Sequence, residues 1–196
     1  QNELQILGLE AVITPTSFDR KNLNFEVQRC RSDEKSNVLE GIVRAQPQRI
    51  GERPEELFSY QENYDIAGIV FCPHARGPFG TDSVAGNLSR ELNINVETYN
   101  GQMDSVRKTQ VAMGFKDNKF PILVATKAFG MGIDKANIRF TVHYGMTSSL
   151  EAFYQEAGRA GRDRDMAQCH CTVIASIDDE ATASSLLDPG MTATSL

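Results

Sequence analysis

A chain of 196 residues with 40% hydrophobic content can bury one sizeable core, and its length argues for one domain with at most a small appendage. No run of eighteen apolar residues occurs, which excludes a helical membrane span, and no basic leader with a cleavable apolar segment is present, so the cytoplasm is the expected address. Four cysteines at irregular spacings exclude a secreted disulfide framework. The net charge of −6 argues at first sight against a nucleic-acid partner. The acidity is unevenly spread, however: residues 1–65 hold 8 Lys and Arg against 12 Asp and Glu, whereas residues 66–175 hold 12 against 10. A mildly basic central region can line one side of a groove, with weak, salt-sensitive affinity.

In chain order, residues 1–8 read as the end of a helix, and 22–28 alternate as a strand. A helical stretch from about 34 to 63 follows, broken near Pro47 and Pro54. The apolar run 66–72 reads as a buried strand. A helix at 82–92, a strand at 94–99, a helix at 104–116 and a strand at 121–126 then repeat a β-then-α rhythm. A strand at 138–144, a helix at 149–158 and a last strand at 169–176 complete it. Strands alternating with helices in this way predict a doubly wound, mostly parallel sheet flanked by helices.

Two motifs carry the chemistry. Residues 155–162, Gln-Glu-Ala-Gly-Arg-Ala-Gly-Arg, set Arg159 and Arg162 three positions apart on one helical face or turn. Guanidinium is the group suited to gripping phosphate oxygens through a planar fork while staying charged. The plain alternative is a solvated turn whose arginines meet Glu156 and Asp163. Upstream, the β-branched run Phe120–Thr126 feeds directly into Lys127-Ala-Phe-Gly-Met-Gly-Ile-Asp134. A buried strand ending in Thr, followed by a glycine loop, is how open α/β sheets present backbone amides and a carboxylate to a ligand.

Cys169-His-Cys171 invites a metal reading, but in a strand the two thiols share one face and His170 the other, with no second pair at ligand spacing. Reduced, buried thiols are expected and no metal site is assigned. His143, near a strand end, is read as structural, and Phe129 and Met131 are expected to pack the glycine loop against the sheet.

Taken together, Ala125–Arg139 and Tyr154–Asp163 closely resemble motifs V and VI of superfamily 2 helicases, in the wording of RecQ-family DNA helicases. Gly68-Ile-Val-Phe-Cys-Pro-His-Ala-Arg76 resembles that family's motif IV strand. Thr16-Ser-Phe-Asp-Arg-Lys-Asn22 resembles the segment that opens its second lobe. The resemblance implies a RecA-like fold of P-loop NTPase type without its own phosphate loop. Residues 1–15 would be the remnant of an interlobe connection, 16–177 the helicase C-terminal lobe, and 178–196 a C-terminal helix or flexible tail.

The same resemblance assigns roles. ATP would sit between two lobes, the second of which supplies Arg162 as the arginine finger and Arg159 as its partner on the triphosphate. Gln155 would couple the cleft to the DNA groove, Asp134 would lie near the ribose, and Gly132 would line the nucleotide site. Thr126, Lys127, Arg76 and Arg139 would meet DNA. No Gly-Lys-Ser or Gly-Lys-Thr occurs, nor an Asp-Glu-x-His after an apolar run, so ATP and Mg2+ are expected to be held mainly by a first lobe in cis. The chain alone is expected to be a monomer without ATPase activity, serving a 3′ to 5′ helicase on single-stranded DNA and duplex junctions. A translocase lobe of another superfamily 2 type, or a helicase-like interaction module, are the alternatives. Gly77-Pro-Phe-Gly80, Tyr99-Asn-Gly101 and Asp163-Arg-Asp165 depart from the family's usual wording, and the first of these is expected to reshape the DNA-facing edge.

Overall fold

A computed structural model of the chain describes residues 22–129, 134–147, 149–163, 168–176 and 178–179. The expected helix at 1–8, the expected interlobe remnant and most of the expected tail lie outside the described residues. The elements are β1 (Leu23–Cys30), α1 (Lys35–Arg49), α2 (Glu55–Phe58), β2 (Ala67–Phe71), α3 (Thr81–Leu92), β3 (Val96–Tyr99), α4 (Ser105–Lys116), β4 (Ile122–Ala125), β5 (Ile138–His143), α5 (Leu150–Ala157) and β6 (Cys169–Ser176). The strands form one sheet in the order β1-β6-β5-β2-β4-β3. Every neighbouring pair is parallel.

A parallel sheet must be covered on both faces, and the period-two alternation of the central strands supplies an apolar surface to each. Val70, Val124, Val142 and Ile174 pack with Leu39 and Val43 of α1 and with Val84 and Leu88 of α3. Ile69, Phe71, Leu123 and Ala125 turn to the other face, where Val111 and Phe115 of α4, Ala157 of α5 and the thiols of Cys169 and Cys171 meet them. The Cys-His-Cys triplet thus alternates as the strand period requires. The Cys171 thiol points at the Ala157 carbonyl oxygen (3.7 Å), while His170 faces the Arg49 carbonyl at 3.3 Å on the opposite side.

The helix boundaries follow from local chemistry. Asp104 accepts the backbone N–H of Arg107 at the start of α4, and Ser149 accepts that of Ala152 at the start of α5, each satisfying a donor with no partner inside its helix. α3 stops where Asn93 enters the left-handed region at φ 54°. The helical stretch is broken as expected, near Pro54, where α2 starts, and near Pro47, two residues before α1 ends at Arg49. The proline falls in the last turn, where its missing N–H leaves only the Val43 carbonyl without its usual donor, and its ring is buried. The chain then closes with Ile50 N–H donating to the Gln46 carbonyl and Glu52 N–H to that of Pro47.

Gly68 in β2 lies beneath the fully buried ring of Phe140 on neighbouring β5. A methyl group there would overlap the ring, so Gly68→Ala overpacks the centre of the sheet and is expected to lower stability by about 3 kcal/mol. Denaturant unfolding checks this. Adding Phe140→Leu should make the double variant more stable than the sum of the two single changes, because the clash and its relief share one site.

Candidate functional site

Because all six strands run the same way, residues beyond strand ends collect at a carboxyl edge, and residues before strand starts collect at an amino edge. Thr126 and Lys127 follow β4, and Arg76 follows β2, so these three belong to the carboxyl edge. Thr126 is buried, its N–H donating to the Tyr99 carbonyl (3.0 Å) and its carbonyl accepting from Phe129 N–H (3.0 Å), whereas Lys127 and Arg76 are exposed. The Gly77–Gly80 turn folds back tightly enough that a Cβ on Gly80 would stand 2.5 Å from the Arg76 carbonyl carbon.

The arginine octet reaches the other edge. α5 runs back along the sheet, and the chain after it is pinned under β5 by Gly161 N–H donating to the carbonyl of Ile138, the strand's first residue, at 3.0 Å. Gly161 has φ 63°, and a Cβ there would meet Asn22 Nδ2 at 2.6 Å, so glycine is required twice over. Asn22 Nδ2 donates in turn to the Gly161 carbonyl at 2.9 Å. This anchor sets Arg162 beside Asp134, with Nη1 2.6 Å from Oδ1. The bland reading of the octet put its arginines against Glu156 and Asp163; Arg162 instead pairs with the carboxylate of the other motif, 28 residues away.

Arg159 is buried, its guanidinium carbon 6.0 Å from the centre of the Phe129 ring. Burial first, then repulsion from Arg162, pushes its pKa below the ordinary arginine value, with Glu156 opposing. Phe129 is itself held edge-on by Tyr99 (5.0 Å) and Phe115 (5.9 Å), so it packs the loop against the sheet as expected. The two guanidiniums are close enough to repel each other, Arg159 is desolvated, and the exposed carboxylate of Asp134 sits beside Arg162. Gln155 is exposed one turn earlier and donates to Glu151 at 3.2 Å. Gly132 and Met131 lie outside the described residues.

Arg139 has a different setting from the one expected of a DNA contact. It is the second residue of β5, near the amino edge and almost fully buried, and its Nη2 donates to the Ile50 carbonyl at 3.1 Å with Glu52 3.6 Å from Nη1. With His170 it serves the carbonyl-rich end of α1, where a cation meets the negative end of the helix dipole. His143 is structural in the sense foreseen: it stacks on Phe71 at 5.1 Å, lies 4.9 Å from Phe153 and brings Nε2 within 3.1 Å of Glu156 Oε2. Sequence reasoning missed Glu156 as its partner because the two residues belong to separate elements. Lys135 was also missed; it is buried behind Asp134.

Comparison with known proteins identifies the family and the fold. The family profile described as the helicase conserved C-terminal domain matches residues 52–164. The chain therefore belongs to the helicase conserved C-terminal domain family. Its curated relatives are of the RecQ type: the chain is 36% identical over 154 residues to the ATP-dependent DNA helicase Q-like 2 of Arabidopsis thaliana, covering 79% of this chain and 19% of that protein. It is 51% identical over 114 residues to the Q-like SIM helicase of the same plant, covering 56% of this chain and 12% of the relative. It is 36% identical over 166 residues to the ATP-dependent DNA helicase Q1 of Pongo abelii, covering 84% and 23%. The chain spans less than a quarter of the length of each of these relatives. Among solved structures it is similar to domain 2 of the DEAD-box helicase Mss116p bound to an RNA duplex, with a TM-score of 0.65, 17% identity, and coverage of 86% of this chain and 60% of that one. It is similar also to the E. coli DEAD-box protein SrmB bound to RraA, with a TM-score of 0.61, 18% identity, and coverage of 86% and 85%. Both confirm the RecA-like fold.

The Asp134 side chain is 87% exposed and that of Arg162 36%, so their pair contributes little to folding. Asp134→Ala is expected to change stability by less than about 0.5 kcal/mol in thermal or denaturant unfolding.

Proposed function

We propose that this chain is the second motor lobe of an ATP-dependent 3′ to 5′ DNA helicase, acting in DNA repair or recombination. The observation that carries this reading is the amino-edge cluster of Arg159, Arg162 and Asp134, built from two motifs far apart in sequence. In this reading a first lobe in cis supplies the phosphate loop and most of the grip on ATP and Mg2+. Without it the chain does not hydrolyse ATP. The donor set fits the missing partner: guanidiniums suit a triphosphate, and a carboxylate accepts hydrogen bonds from ribose hydroxyls.

Arg162 is the finger, placed to neutralise charge on the γ-phosphate as it transfers to water, and Arg159 grips the same triphosphate from a desolvated seat. Holding a cation in place before the reaction avoids reorganisation when charge develops. Gln155, one turn before them on α5, couples the cleft to the nucleic-acid side. At the carboxyl edge, Thr126, Lys127 and Arg76 contact the sugar-phosphate backbone of single-stranded DNA, without reading bases. Opening and closing of the cleft against the first lobe then moves the strand. The cytoplasm, or the nucleoid in a bacterium, is the compartment this function requires.

In the protein carrying both lobes, Arg162→Ala is expected to leave nucleotide binding within a few-fold of normal and to reduce DNA-stimulated ATP turnover about 10³-fold or more. Steady-state hydrolysis with and without single-stranded DNA measures it. Turnover unchanged by the substitution would remove Arg162 from the finger role.

A further inference from the structure

We propose that Lys135 is a positioning residue for the nucleotide: it clamps the chain immediately behind Asp134 to the turn between α4 and β4, and so sets the Asp134 carboxylate and the Arg162 guanidinium paired with it. The inference rests on the reading of Asp134 and Arg162 as nucleotide contacts. Lys135 is only 4% exposed, although Asp134 beside it is fully open to solvent. Its Nζ donates to Oδ1 of Asn118 and lies 4.9 Å from the centre of the Phe115 ring. Asn118 stands in the left-handed region at φ 60° and is itself fixed. Its Oδ1 also accepts from Asn137 Nδ2 at 3.0 Å, Asn137 Nδ2 reaches the Tyr64 carbonyl at 3.0 Å, and Tyr64 N–H donates to the Asn118 carbonyl at 2.9 Å.

The lysine is therefore spent on a neutral oxygen and an aromatic face. Burying an ammonium on such partners costs more than burying an apolar chain of the same length, so filling space does not account for it. What the arrangement does achieve is rigidity at one backbone position. Asp134 has no cover of its own, and the next residue along the chain is fastened to the end of α4, whose Phe115 belongs to the core. The segment between Thr126 and Ile138 carries both the Phe129 seat of Arg159 and the Asp134 partner of Arg162, and Lys135 is the tie at its far end.

Burial lowers the Lys135 pKa to about 8, with Asp117 at the end of α4 the charged group that opposes the shift. Two consequences of opposite sign follow. As pH rises through about 8 the ammonium is lost, the cation–aromatic contact and the charged hydrogen bond weaken, and the nucleotide site loosens. Over the same range folding stability gains, because the unfolded lysine, with its pKa near 10.5, holds more protons than the folded one between the two values.

The test uses the protein carrying both lobes, with ATP as the varied substrate and saturating single-stranded DNA. Lys135→Met keeps the length of the buried chain and removes the clamp; KM for ATP is expected to rise roughly tenfold, as expected from losing a hydrogen bond to a charged group, with kcat within a few-fold. The wild-type protein should show KM rising between pH 7 and 9 while its melting temperature holds or climbs, and the variant should lose that rise in KM. Asn118→Gly, which tolerates the left-handed backbone, should reproduce the KM effect, and the double variant should be no worse than either single one. A Lys135→Met protein with wild-type KM and an intact alkaline rise, while Asp134→Ala raises KM, would overturn the positioning role and leave the nucleotide reading standing. An unaltered KM in Asp134→Ala would overturn both. A fall in kcat and melting temperature together, with KM unmoved, would show Lys135 to be merely structural.

Discussion

The parallel run of all six strands is the constraint on which the rest depends. A sheet buried on both faces leaves little room for polar chemistry in its middle: the positions of β2 and β4 are apolar and closed to water, and Thr141 is the buried polar exception at the centre of β5. Everything reactive is driven to the two edges. β5 alone, at about 3.3 Å per residue, puts roughly 16 Å between its ends, which sets Lys127 and Arg76 at one edge and Asp134 and Arg162 at the other. The Arg159 side chain reaches back to Phe129, whose N–H is tied to the Thr126 carbonyl. A lobe with two such edges can hold different ligands at each and remain one body.

Electrostatics at the amino edge follows from where α5 ends. Anchoring Gly161 under Ile138 forces the two arginines into a small volume, and the cost of that crowding is visible in the lowered pKa of Arg159, set by burial and by Arg162. The two guanidiniums are compensated in different ways: Arg159 by the face of Phe129 and the nearby Glu156 carboxylate, and Arg162 by the carboxylate of Asp134. The second is weak because it is solvent-exposed. The Asp134–Arg162 pair therefore leaves the Arg162 guanidinium partly accessible to solvent.

Much of this was legible in the sequence because the period of the pattern and the spacing of the motifs are local properties. The strand-helix alternation placed ten described elements within a few residues of their ends. What was not legible depends on neighbours distant in the chain. Nothing in Ile138-Arg-Phe-Thr-Val-His143 tells that Arg139 will find the open carbonyl end of α1, 89 residues upstream, rather than a nucleic acid. Pro47 marks the break to within two residues, but does not tell that its ring is buried inside the last turn of α1. Lys135 carries no motif signal of its own: a lysine after an aspartate reads as a solvated pair until the fold buries one and exposes the other.

The link between the two edges can be followed through contacts of the same distant kind. His143, the last residue of β5, stacks on Phe71, the last residue of β2, and brings its ring nitrogen to Glu156 on α5. Phe71 stands one residue before the segment that leads to Arg76, and Glu156 stands three before Arg159. Phe153 closes over the imidazole from the same helix, so the ring is held between strand and helix and has little freedom to turn without moving one of them. The carboxyl ends of β2 and β5 and the helix that leads to the arginines are thus packed through one buried side chain.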